Sequence, residues 1–230
     1  MPPHDPAVDV LIERFVERSR AYRQTGGMVG LCVMVAVAIV TDGGHGVVYG
    51  FPGMLAYALA GSLVGSLAAE AFRFRRTPSS HTASLSVRRS DEYRDTVGDR
   101  RLFFVWGCTA IGCVWGALLG STRTAVLGGL VLMLACIRWW GARRIVARPR
   151  PAVPSALADA DDRIRRVAIA DGIGRPVAAL SALAASAIWG TIYVGSAADA
   201  VRVIAWWMSV VLSLSAIVWW WHTRHVGSDL

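Results

Sequence analysis

The sequence predicts an all-α, polytopic membrane helix bundle of six transmembrane helices, paired as three hairpins, each preceded by a short cytoplasmic amphipathic helix. Three observations carry that prediction. Residues of the AVILMFWYC set make up 54% of the 230, and the 23 glycines raise this to about 64%, against roughly 45–50% in a soluble domain on a tally that includes glycine. Mean hydropathy is +0.45, and only 17% of residues are charged. The apolar residues also fall into six runs, with tiny loops inside each pair and long basic segments between pairs. So much apolar surface fits a bilayer as solvent and excludes disorder, which needs low hydrophobicity.

The first run covers 26–41 and follows a polar segment in which Val8, Leu11, Ile12 and Phe15 form one apolar stripe, with Glu13, Arg14, Glu17 and Arg18 elsewhere. The second, 52–72, opens on Pro52, which suits the first helical position because its missing N–H costs nothing there. The third and fourth cover 102–120 and 124–142. Before them Ser90 stands as an N-cap ahead of Asp91 and Glu92, with Tyr93 and Val97 on one face. The fifth and sixth, 176–198 and 200–221, follow a segment where Asp161 and Asp162 stand four residues before Arg165 and Arg166, the favourable order for helical ion pairs. Most runs approach the ~20 residues that cross ~30 Å of hydrocarbon at 1.5 Å each. Pro149, Pro151 and Pro154 prevent helix continuation in the second linker.

Charge sets the orientation. All 24 basic residues are arginine, and the formal net charge is +8. The linkers 73–101 and 143–175 hold most of them. Only Arg123 and Arg202 fall on the other side of the six-span topology. The positive-inside rule then puts both termini and both linkers in the cytoplasm, as in a plasma (inner) membrane protein. Phe103, Phe104, Trp106, Trp139, Trp140 and Trp219–Trp221 cluster at the same predicted inner interface. Residues 1–25 carry four arginines and four acids before any apolar run, which argues against a cleaved signal.

Chemistry is hard to find in these residues. No Asp, Glu, His, Lys or Arg falls near the middle of a predicted span, the place where proton relays and ion paths put them. Glu70 lies three residues before Arg73 at an inner helix end, and Asp199 is expected to cap the sixth helix and pair with Arg202. Cys32, Cys108, Cys113 and Cys136 all lie in apolar runs and read as small hydrophobes. His222 and His225 read as an interfacial, solvated tail in preference to a metal site. No phosphate loop is possible without lysine, and Gly61-Ser-Leu-Val-Gly65 puts its serine one place early for a nucleophile elbow. No catalytic residue, metal or cofactor is therefore expected.

Helix packing is better signalled. Gly61 and Gly65, continued by Ala69, and Gly112, Gly116 and Gly120 form G-x-x-x-G steps that let helix backbones approach closely; Ser181, Ala185 and Ser186 make the fifth helix similarly small. Packing inside one bundle is favoured over oligomerisation. The arginines Arg73, Arg75, Arg76, Arg88, Arg89, Arg143, Arg144, Arg148, Arg165 and Arg166 are candidate contacts for anionic lipid or for a cytosolic or membrane protein partner. Nucleic acid is not expected, because Asp91, Asp95, Asp161 and Asp162 break up the positive field.

The segment from His81 to Arg94 (HTASLSVRRSDEYR), after the Glu70–Arg76 helix end, and that from Ala160 to Arg166 (ADDRIRR) resemble parts of uncharacterised actinobacterial multi-pass, six-helix integral membrane proteins. The resemblance implies a topology and no activity. Two functions follow as expectations: a non-enzymatic scaffold or accessory subunit acting through the arginine-rich cytoplasmic face, or a permease-like transport component that depends on a separate ATPase, with Asp159–Ala170 as its coupling helix.

Overall fold

The protein is described by a computed structural model over residues 6–40, 51–74, 83–84, 99–146, 150–151 and 172–225. Six helices make up nearly all of the described residues: α1 (Pro6–Val40), α2 (Phe51–Phe74), α3 (Asp99–Leu118), α4 (Thr122–Val146), α5 (Arg175–Gly195) and α6 (Asp199–His225). Two-residue strands β1 (Ala83–Ser84) and β2 (Arg150–Pro151) pair antiparallel, joining the two linkers through Ala83 opposite Pro151 and Ser84 opposite Arg150.

Among the described residues, three stretches are long and apolar enough to cross a membrane: Thr122–Ile145, Gly172–Gly195 and Asp199–Trp219. Met54–Ala69 and Leu102–Leu118 are shorter apolar helical stretches. The helix bundle is organised around α5, which packs against α2, α3, α4 and α6, while α1 packs chiefly on α2. Of the apolar window in α5, 67% is buried, against 17% for α4 and for α6.

Much of what is buried along α5 is small, and many of the bulkiest side chains are exposed. The buried side of α5 is mostly Ala178, Ala179, Ala182, Ala184 and Ala185 with Ser181 and Ser186, while Trp115, Trp139, Trp140, Trp206, Trp207 and Trp221 are exposed. A protein folded in water hides its bulkiest apolar groups. Here six tryptophans lie on the perimeter, an arrangement expected where hydrocarbon is the surrounding medium and small residues bring helices together.

The first helix corrects the sequence reading. Instead of a short interfacial helix followed by a span from residue 26, α1 is one continuous 35-residue helix. Gly26 and Gly27 cost helix propensity of roughly 1 kcal/mol each relative to alanine, but no proline interrupts the stretch and Gly26 is held against α2. The side chains of Val8, Leu11, Ile12 and Phe15 lie outside the described set, as do the expected amphipathic segments around 90–98 and 159–170. At the other end of the chain α6 runs to His225, past the expected residue 221, and α4 runs past 142 to Val146, with Arg143 and Arg144 in its last turn.

The end of α3 is set by Gly120, whose φ is +68°. Gly120 N–H donates to Ala117 O at 3.0 Å and Ser121 N–H to Gly116 O at 2.9 Å, the paired bonds of a Schellman ending. Helix α4 then starts at once, and Thr124 Oγ1, almost fully buried, donates to Ser121 O at 2.7 Å. Helix α5 opens after a short π turn at 172–174 with Pro176 in its first turn, fully buried.

Candidate functional site

Three groups of side chains stand out once the helices are in place: a glycine crossing between α1 and α2, a hydroxyl clasp between α5 and α6, and an arginine–tryptophan edge at the end of α4.

Helices α1 and α2 cross antiparallel through glycines. A Cβ on Gly26 would strike Gly61 O, one on Gly61 would strike Gly26 O, and the same relation holds for Gly30 with Tyr57 O and for Gly65 with Tyr22 O. The Cα hydrogens therefore point at carbonyl oxygens on the other helix, a weak C–H···O pattern typical of tightly packed membrane helices. Ser62 Oγ adds a conventional bond to Arg23 O at 3.2 Å. Gly61 and Gly65 were legible as packing residues; their partners Gly26 and Gly30 were missed, although they form a G-x-x-x-G step of their own.

The three α3 glycines separate into different roles. Gly112 makes room for α5: a Cβ there would come within 2.7 Å of Ile188 Cγ2 and 3.4 Å of Trp189 Nε1. Trp189 Nε1 uses that space to donate to Cys108 O at 3.2 Å. Gly116 instead faces Thr124 on α4, whose Cβ would lie 2.6 Å from an added methyl. Gly120 meets nothing within 4 Å, so the reading of a second packing step there is corrected: it is the positive-φ residue that ends the helix.

At the centre of the α5–α6 contact, Ser186 Oγ lies 3.0 Å from Ser209 O, 3.0 Å from Ser209 Oγ and 2.7 Å from Ser213 Oγ, while Ser209 Oγ donates to Ser186 O at 3.1 Å. Each hydroxyl has one proton. Ser186 giving its proton to Ser209 O, Ser209 to Ser186 O and Ser213 to Ser186 Oγ satisfies all three at once. Ser186 was read from sequence only as a small residue. Ser209 and Ser213, four apart on α6, were missed.

The third group lies at the C-terminal end of α4. The Arg143 guanidinium carbon sits 4.2 Å from the centroid of a Trp139 ring, and that of Arg144 sits 4.5 Å from a Trp140 ring. All four side chains are exposed. The spacing is i, i+4 in both pairs, so each arginine folds back along the helix onto the indole one turn earlier. Arg73 lies in the last turn of α2, with its side chain outside the described set; Arg75, Arg76, Arg88, Arg89, Arg148, Arg165 and Arg166 lie outside the described residues altogether. At the opposite end of the bundle Arg202 reaches Asp199 at 3.8 Å and lies 5.3 Å from the Tyr193 ring centroid. Asp199 is the first residue of α6 and not its cap, since Arg202 N–H bonds Ala198 O at 3.1 Å.

The buried polar side chains among the described residues are hydroxyls: Ser19, Ser66, Thr109, Thr124, Ser181 and Ser186. Ser66 donates to Ser62 O at 3.0 Å and Thr109 to Val105 O at 2.8 Å, while Ser181 Oγ has no hydrogen-bond partner among the described residues. No group of three or more His, Cys, Asp or Glu side chains with metal-binding geometry occurs among the described residues. The four cysteines are free thiols, Cys32 and Cys136 on the exposed surface. No protein-family model matches the chain, and no curated protein or solved structure is significantly similar to it.

Proposed function

We propose that the chain crosses a plasma membrane six times, as three hairpins with both termini and both arginine-rich linkers on the cytoplasmic side, and works as a non-enzymatic scaffold or accessory subunit through that face. The observation that carries the reading is the composition of the interior around α5. Alanines and serines line much of it, beside Ile188, Trp189 and Ile192, and Ser186 and Ser209 spend their protons across the α5–α6 contact. Groups consumed in holding helices together are poor candidates for moving protons or ions, which membrane proteins do with ionisable side chains. The same packing favours a scaffold over the permease-like alternative, since a permease needs a polar path between helices. The exposed guanidiniums of Arg143 and Arg144 offer the face through which contacts outside the bundle would be made.

Two experiments test this. Reporters fused after Leu230 and inserted near Ser80 are expected to be active only in the cytoplasm; activity outside overturns the topology. Affinity capture in mild detergent is expected to recover a stoichiometric partner whose retention depends on the linker arginines. Substrate flux through the protein alone in proteoliposomes would replace the scaffold reading with transport.

A further inference from the structure

We propose that the Trp139/Arg143 and Trp140/Arg144 pairs form a binding site for the headgroup of an anionic phospholipid. The proposal rests on the reading that α4 spans a bilayer. Arg123 and Arg143 are twenty residues apart on this helix, about 30 Å of rise, which matches the thickness of the hydrocarbon layer. Arg143 and Arg144 therefore emerge where phosphates lie. Trp139 and Trp140, about 6 Å nearer the centre, fall at the boundary that indoles prefer.

The chemistry at that depth is specific. A guanidinium stacked on an indole engages its face and keeps its in-plane N–H donors, the edge that matches phosphate oxygens. Helix α4 carries no acidic residue along its length, so no carboxylate within it competes. The competing anion is the helix itself, whose C-terminal carbonyls amount to roughly half a negative charge. Two guanidiniums outweigh that and leave a surplus of about one and a half units, enough to hold a single phosphodiester. Arg138, half-buried one turn earlier, is already engaged within the protein and is not part of the site. Both indoles are exposed on the perimeter of the bundle, where acyl chains pack against apolar groups, which selects a lipid over a soluble phosphate.

The test uses the full-length protein in nanodiscs of phosphatidylcholine alone or with phosphatidylglycerol, with retained lipid counted by native mass spectrometry and helix content checked by circular dichroism. The wild-type protein is expected to retain phosphatidylglycerol preferentially. R143Q and R144Q should each weaken this about fivefold, and the double variant about thirtyfold. R123Q/R202Q removes the same charge from the other end and should leave the preference intact. Equal loss in R123Q/R202Q, or no preference in the wild type, overturns the site; so does an equal affinity for inorganic phosphate in lipid-free detergent, which would mark a free-anion site. A protein that fails to insert into the nanodisc overturns the underlying membrane reading, and the same preparation reports it.

Discussion

Gly26 on α1 and Gly61 on α2 face each other so closely that a methyl group on either would strike the other's carbonyl oxygen. The obstruction is backbone, which cannot turn aside as a side chain can. G26A and G61A are therefore each expected to destabilise the protein by about 1–3 kcal/mol, read as an earlier unfolding midpoint in mixed micelles. Because both changes spread one crossing, the double variant should cost less than the sum. G107A is the control: Gly107 meets nothing within 4 Å, and alanine there should be neutral or mildly stabilising.

The α5–α6 clasp predicts a coupling. Ser186 accepts from Ser213 and exchanges bonds with Ser209, so S186A should cost about 0.6–2 kcal/mol, the range for hydrogen bonds between membrane helices. S213A should cost less in the S186A background than in the wild type. Additive losses in that double-mutant cycle would show that the two hydroxyls do not share a bond.

Trp189 gives a way to separate a hydrogen bond from the space it occupies. W189F keeps most of the volume and removes the donor to Cys108 O, with an expected loss of about 1 kcal/mol. G112A keeps the donor but pushes a methyl toward Ile188 and the indole, and should cost about 1–3 kcal/mol. Thermal unfolding monitored by tryptophan fluorescence ranks the two; a larger effect in W189F would mean that the gap beside Gly112 closes at little cost.

Gly120 and Gly129 make opposite predictions although neither meets a neighbour within 4 Å. Gly120 has φ +68° and closes α3, so G120A should cost about 1 kcal/mol in backbone strain. Gly129 lies inside α4 on an exposed face, where alanine should gain up to about 1 kcal/mol. Equal effects would rule out backbone conformation as the reason glycine stands at Gly120.

The helices were largely legible because their signal is local. A run of apolar residues bounded by arginine or proline declares a helix wherever it packs, and α2, α3, α5 and α6 start close to the expected positions. Helix α1 runs unbroken through the change from charged to apolar residues near Gly26 because polarity changes what surrounds a helix without interrupting its hydrogen bonds. The site was less legible. Arg143 and Arg144 were visible as charges and Trp139 and Trp140 as interface aromatics, but that they stack in pairs depends on the helix continuing past residue 142. Ser209 and Ser213 gave little sign of their role, since a serine on an apolar helix shows its purpose only through its partner.

The helical class and the strongly apolar character were readable from the sequence, because each depends on amounts and on near neighbours: 54% apolar residues gathered into runs, with arginines kept to particular segments. Tertiary structure alone decided that α5 is the central helix, that Gly26 and Gly30 answer Gly61 and Gly65, and that Gly120 ends a helix instead of packing one. Glycine spacing states that close approach is possible. Which helix makes the approach is settled by the shape of the surface it meets, and that surface exists only once the chain has folded.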